Sequence, residues 1–222
     1  VPKTERWPSI EKLNRERELV GIYLSAHPLD DYSVILNNLC NTHVEEIGRG
    51  ADLEELSKRE EITFGGIITA VNERFSQKKP FGFVTIEDFE GSGELALFGD
   101  DWARWNGVMK ENYTIYVTAK CQPRYRNSNI YELKVLKVEQ LYDVKEHRLE
   151  RFTISMDASS VNDQMVSDLV TLVEGNEGTT QLCIELYTAD QSLVTLYSPS
   201  KGVNVDRTLL DFIAKEENMD YR

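Results

Sequence analysis

The hydrophobic pattern changes period twice along the chain, and the changes mark three regions. In residues 1–60 apolar positions recur at helical spacing: Ile10, Leu13, Val20 and Leu24 fall near one face of a stretch from Ser9 to Leu24 that is rich in Glu and Arg, and Pro8 suits the first helical position. His27-Pro28 ends that run, because the residue before a proline avoids the helical well. A second helix is predicted from Pro28 to about Leu39, an extended or loop segment from Val44 to Gly50, and one more helical turn over Asp52 to Lys58.

Period two takes over in residues 61–142. Ile62 to Val71 is rich in β-branched residues and carries Gly65-Gly66, the mark of a strand bent or bulged at glycine. Gln77 to Pro80 reads as a turn. Phe81 to Phe89 and Glu94 to Phe98 alternate around the tight turn Glu90-Gly91-Ser92-Gly93, which predicts a hairpin. Asp100 to Met109 carries Trp102, Trp105 and Met109 at helical spacing, with the two tryptophans read as barrel plugs, and Asn112 to Pro123 and Asn129 to Leu141 supply two further strands. Five strands with a short helix between the third and fourth is the order of an OB-fold barrel.

From about Arg148 to Arg222 the pattern predicts a small βαββα domain. Its parts are a strand over Arg151 to Met156, a helix from about Val161 to Glu174, a hairpin of Gln181 to Thr188 with Ser192 to Tyr197, a short extended piece at Val203 to Val205, and a last helix capped by Asp206. Ser160 and Asp163 approximate a capping box for the first helix, with Met165, Leu169 and Leu172 on its core face and Gly175 just past its end. Leu209, Leu210, Phe212 and Ile213 form the core face of the second. The expected fold class is therefore α+β and multidomain, with a helical segment, a five-stranded barrel and a βαββα domain.

Composition narrows what such a chain does. Its 222 residues are 41% hydrophobic and 28% charged, too balanced for a fibrous or disordered protein. No window approaches the roughly 20 apolar residues of a membrane span, and Val1 to Ser9 lacks an apolar signal core, so a soluble protein of the cytoplasm is expected. Cys40, Cys121 and Cys183 are odd in number and far apart, which reads as reduced thiols. His27, His43 and His147 are equally scattered. No metal or cofactor spacing is present, and His27 is read as structural, setting a helix start beside Pro28. A polar opening without Met at position 1 suggests a piece of something longer.

Net charge is −13, distributed as −4, −1 and −8 over residues 1–60, 61–142 and 143–222. A nearly neutral middle between acidic flanks suggests regions with different partners. Within the middle, Arg74, Lys78 and Lys79 stand in a stretch from Arg74 to Ile86 that has no acid, and Lys120, Arg124 and Arg126 in another from Asn112 to Tyr131. These include the loops between strands one and two and between strands four and five, which flank the binding face of an OB-fold. Base stacking needs outward rings. If Val84, Ile86, Leu95 and Leu97 face inward, then Phe83 and Phe98 face out, with Phe81, Tyr125 and Tyr131 as further candidates and Lys134 as a further cation. Neighbouring carboxylates such as Asp30-Asp31, Asp100-Asp101 and Glu216-Glu217 lack a convergent third ligand or base, so they read as solvated or capping acids and no catalytic residue is assigned. The acidic last region would repel phosphates and calls for a protein partner, through its helix surfaces or the loop Ser198 to Gly202.

One string is more specific than any of these patterns. Glu18-Leu19-Val20-Gly21-Ile22-Tyr23-Leu24-Ser25-Ala26-His27-Pro28-Leu29-Asp30, followed about thirty residues later by a five-stranded barrel, resembles the C-terminal region of the α subunit of bacterial replicative DNA polymerase III. The order of all three regions fits. The resemblance implies single-stranded template DNA on the barrel, the τ subunit of the clamp loader on the terminal domain, and the rest of the polymerase holoenzyme as company. It also implies that the nucleotidyltransferase carboxylates of this DNA-directed DNA polymerase family lie upstream of Val1, so the residues present would bind and not catalyse. An OB-fold appendage that binds RNA or tRNA for another enzyme, and a pure protein-interaction scaffold, are the alternative classes.

Overall fold

The computed structural model describes residues 13, 15–17, 19, 23 and 25–222, except 49, 76–78, 126–128, 191 and 217, with backbone alone at 199–201. The helix expected over Ser9 to Leu24 falls largely outside the described residues. The chain divides into two compact units, Val1–Tyr142 and Asp143–Arg222, and is α+β throughout.

The first unit is built on one antiparallel sheet in the order β3-β2-β1-β4-β5, from β1 (Ile62–Phe75), β2 (Pro80–Glu87), β3 (Ser92–Phe98), β4 (Thr114–Pro123) and β5 (Tyr131–Gln140). Alternation along β2 and β3 sorts their two faces: Val84, Ile86, Leu95 and Leu97 are buried in a core with Ile62, Phe64, Ile115 and Val117. β1 is longer than its pattern announced, because a bulge at Ile68/Ala70 lets it turn and pair with β2 as far as Phe75. Short helix α3 (Asp100–Trp105) lies between β3 and β4, as the strand order requires. Its Trp102 closes the barrel end, 2% exposed, with the indole Nε1–H donating to Glu73 Oε1 at 2.9 Å.

Helix α1 (Ser33–Leu39), preceded by a 310 turn at Asp30–Tyr32, rests on β1, and Tyr116 on β4 donates its hydroxyl to Leu39 O at 2.9 Å. Gly65 permits the approach, since a Cβ there would lie 2.6 Å from a methyl of Leu36. Val44–Ile47, expected to be extended or loop, is a 310 turn whose Val44 and Ile47 join the barrel core. One-turn helix α2 (Leu53–Leu56) is capped by Asp52, which accepts from Glu55 N.

Helix α4 (Leu141–Arg148) starts at Leu141, expected to end the fifth strand, and fills the residues that the pattern left unassigned up to Arg148. The second unit then carries β6 (Arg151–Asp157), α5 (Asp163–Gly175), β7 (Glu177–Gly178), β8 (Thr180–Tyr187), β9 (Leu193–Val203), α6 (Arg207–Lys215) and β10 (Met219–Tyr221). Its sheet runs β10-β6-β8-β9-β7, with β6 and β8 parallel and joined through α5. Three details correct the pattern. The cap of α5 is Asn162, which accepts from Met165 N at 3.0 Å, because Ser160 is already held in a 310 turn by Asp157. The loop expected at Ser198 to Gly202 is part of β9. Residues 198–201 there bulge between the pairs Cys183↔Tyr197 and Gln181↔Gly202, where Pro199 needs no ladder N–H. Strands β7 and β10, of two and three residues, are too short to leave a periodic trace.

Candidate nucleic-acid interface

Alternation decides which aromatic rings leave the barrel core. Phe81 and Phe83 on β2 stand on the face opposite Val84 and Ile86, and antiparallel register sets Phe81 across from Phe98 and Phe83 across from Ala96. The three rings therefore meet. Phe81 and Phe98 stack at 5.7 Å between centroids and 25°, while Phe83 stands edge-on to both, at 5.7 and 6.3 Å. Phe98 is the outermost, 54% exposed. The β1 register brings in Arg74 opposite Phe81, with its guanidinium 5.6 Å from the Phe83 ring.

Strands β3 and β5 are the two edges of the sheet, and a cleft of about 500 Å³ lies between them. Phe83, Phe98, Tyr131, Arg124 and Lys134 all line it, over a floor that includes Leu95 and Leu133. Residues read separately from two distant stretches of sequence thus share one concavity, and the Phe81–Phe83–Phe98 cluster with Arg74 continues it along β2. Tyr125 is exposed beside Arg124, whose guanidinium lies 5.8 Å from its ring. Lys120 is exposed on β4, across from Lys134 in register. Lys79 stands just before β2. Lys78 and Arg126 lie outside the described residues.

The electrostatics differ from what the acid-free stretches suggested. Lys134 Nζ lies 2.6 and 2.7 Å from the two oxygens of Asp101, Lys79 Nζ lies 2.6 Å from Asp100, and Arg124 Nε stands 4.0 Å from Glu132. Asp100 and Asp101 come from the first turn of α3, entered through Gly99 at φ +53°. The hydrogen bond from Lys79 holds the Asp100 carboxyl below its usual range. Sequence reasoning missed these three acids as members of the site. For Asp100 and Asp101 the only signal was position, since a helix that plugs a barrel end must present its first turn to the neighbouring rim; Glu132 lies on β5, just past the acid-free stretch that ends at Tyr131.

Among the described residues no group of three or more His, Cys, Asp or Glu is placed to hold a metal ion, and no helix is long and apolar enough to cross a membrane. The arrangement offers rings for stacking, cations for phosphates, and acids that compete for those cations.

Comparison with known proteins gives two matches to family models. Residues 62–141 match the OB-fold nucleic acid binding domain, and residues 152–222 match the C-terminal domain of the DNA polymerase III alpha subunit. Whole-chain relatives carry one name. DNA polymerase III subunit alpha of Saccharopolyspora erythraea is 25% identical over 184 residues, covering 82% of this chain and 15% of that protein. Its counterpart in Borreliella burgdorferi is 24% identical over 220 residues, 95% and 17% respectively. That of Mycobacterium leprae is 25% identical over 192 residues, 86% and 16%. The chain therefore resembles the C-terminal region of the α subunit along most of its length, while spanning 15–17% of these relatives. Among solved structures, a replication protein A heterotrimer bound to ssDNA overlaps at a TM-score of 0.30 and 13% identity, over 65% of this chain and 40% of that one.

Proposed function

We propose that this chain is a non-catalytic, C-terminal binding region of a replicative DNA polymerase α subunit, acting in the cytoplasm, and that its β3–β5 cleft holds single-stranded DNA. The observation that carries the reading is the shared concavity: Phe83, Phe98, Tyr131, Arg124 and Lys134 line one cleft, with Phe81 and Arg74 extending it. Stacking on such rings contributes about 1–3 kcal/mol per base and is tolerant of sequence, while lysine and arginine contacts to phosphate make affinity fall with salt. Weak, sequence-independent, salt-dependent binding follows. Residues 143–222, at a net charge of −8, take the other role and join a protein, which in the family resembled is the τ subunit of the clamp loader.

The test is a titration of labelled poly-dT, duplex DNA and RNA into the 222-residue chain at two salt concentrations, repeated with Phe83→Ala and Arg124→Ala. Preference for poly-dT, lost several-fold with either change, is the expected result. Affinity indifferent to salt and to both substitutions would remove the DNA reading, and preference for RNA would move the chain to the RNA-binding class. For the partner, failure of the chain to retain τ where an intact α subunit retains it would count against recruitment.

A further inference from the structure

We propose that the second unit docks a basic amphipathic helix of its protein partner in the apolar groove between α5 and strands β8–β9. The proposal rests on the reading that this unit recruits protein, and it names the surface and the chemistry. One wall of the groove is the flank of α5. Met165 and Leu169 turn into the core, but Val166 and Val170 stay 46% and 49% exposed. The opposite wall is Ile184 and Leu186 on β8, with Leu196, across from Ile184 in register and 49% exposed, on β9. Together they enclose about 350 Å³. Along α5 the lining runs from Met165 to Glu174, roughly 14 Å at 1.5 Å per residue, which accepts about two and a half turns of a partner helix.

Three of the chain's four methionines, Met156, Met165 and Met219, line this groove. Met156 and Met165, 5% and 7% exposed, form its buried floor, where unbranched thioether side chains can adapt to an apolar stripe laid against the walls. Charge selects the occupant. No described residue lining the groove is a cation, and the one charged residue in the lining is Glu174. Asp163 sits three residues before Val166 and Glu174 four after Val170, so helical spacing places acids at both ends of the valine stripe. At the Met156 and Met219 end the groove meets a second pocket that holds Asp157 and Asp220; its one cation, Arg222, is engaged bidentately by Glu185 at 2.7 and 2.9 Å.

An apolar stripe flanked by lysine or arginine complements that surface. Nucleic acid would meet the acids with its phosphates, and a second copy of this chain would meet them with its own. Strand addition along the outer edge of β9, which β7 covers only at Gly202 and Val203, would use backbone N–H and C=O groups and leave the α5 wall of the groove unfilled.

The experiment uses the 222-residue chain and three synthetic 18-residue peptides: leucine and lysine at helical spacing, the same residues scrambled, and a version with glutamate for lysine. The helical basic peptide should bind at least tenfold more tightly than either other. It should also shift the amide NMR signals of Val166, Val170, Ile184 and Leu196 in the unsubstituted chain. Val166→Asp with Val170→Asp adds acid to an exposed flank, so attraction by charge alone would strengthen, whereas groove docking should weaken tenfold or more. Equal binding of helical and scrambled peptides, or unchanged binding by the double variant, overturns the proposal. So does self-association of the chain that Val170→Asp abolishes, which would assign the groove to a second copy. If the chain retains τ and the double variant retains it equally, recruitment survives and the groove fails. If the peptide docks as described and τ is not retained, the groove survives and the identity of the partner fails.

Discussion

Lys134 and Asp101 meet as a two-point ion pair in the β3–β5 cleft, the lysine Nζ 2.6 and 2.7 Å from the two carboxylate oxygens. If the cleft holds single-stranded DNA as proposed, the acid stands where a phosphate would have to stand. With the lysine and aspartate side chains 41% and 24% exposed, such a pair contributes on the order of 1 kcal/mol or less, which a phosphate can outcompete. Asp101→Asn should therefore raise affinity for poly-dT several-fold. It should also steepen the plot of log affinity against log salt by about 0.7, the increment for one more phosphate contact on a single strand. Lys134→Ala should do the reverse. Fluorescence anisotropy at four salt concentrations measures both, and an Asp101→Asn variant with unchanged affinity would take Lys134 out of the phosphate track.

Gly82 and Trp102 make a second pairing that sequence spacing does not announce. A Cβ on Gly82 would collide with three carbons of the Trp102 ring, and the indole is fixed on its other side by the hydrogen bond to Glu73. The plug has nowhere to go. Gly82→Ala should cost roughly 1–3 kcal/mol, the usual penalty for overpacking, seen as a lower urea midpoint. An unshifted midpoint would mean that Trp102 is free to retreat and does not seal the barrel end.

These two pairs show what the sequence carried and what it did not. Period-two alternation sorted Val84, Ile86, Leu95 and Leu97 from Phe83 and Phe98 because each strand buries one face only, and the β2–β3 hairpin followed from the turn Glu90-Gly91-Ser92-Gly93. Placing Phe83, Tyr131 and Lys134 in one cleft needed the fold, since β3 and β5 are brought near each other by curvature and not by a turn. The acids Asp100 and Asp101 were invisible as partners because the fold and not the local sequence brings them to Lys79 and Lys134, while Glu132 fell one residue beyond the acid-free stretch read around Arg124. A charge count along a window sees neighbours in sequence, while Lys134 and Asp101 are 33 residues apart. Pro199 misled in another way: it reads as a loop breaker, but it sits in a bulge that asks for no N–H.

Burial of Cys40 between α1 and β1 pushes its thiol up to about 12, and burial raises that of Cys121 as well. The thiolate is the reactive species, so at pH 8 Cys40 should be alkylated on the order of a thousandfold more slowly than a thiol of ordinary pKa near 9. Urea should abolish the protection. Mass spectrometry after timed iodoacetamide treatment reads this directly. Rapid modification of Cys40 in the absence of urea would show α1 lifting from Gly65 and would contradict the packing there.

His27 gives the fold a pH dependence whose sign can be worked out. Its ring packs edge-on to Tyr23 and against Phe89, at 5.1 and 5.0 Å between centroids, and its Nδ1 accepts the Leu29 N–H at 3.2 Å. Burial lowers its pKa below the usual 6.5, outweighing the attraction of Asp30 and Glu87. Protonation would also remove the acceptor that Leu29 uses. As pH falls through 6.5 the unfolded chain takes up the proton first, so the folded state is fully favoured above that value and loses stability below it. One proton limits the slope to about 1.4 kcal/mol per pH unit. Urea midpoints at pH 7.5, 6.5 and 5.5 should fall more steeply for the unaltered chain than for His27→Gln, which keeps a polar side chain but does not titrate. Parallel slopes for the two proteins would assign the acid sensitivity to the carboxylates and leave His27 without a part in it.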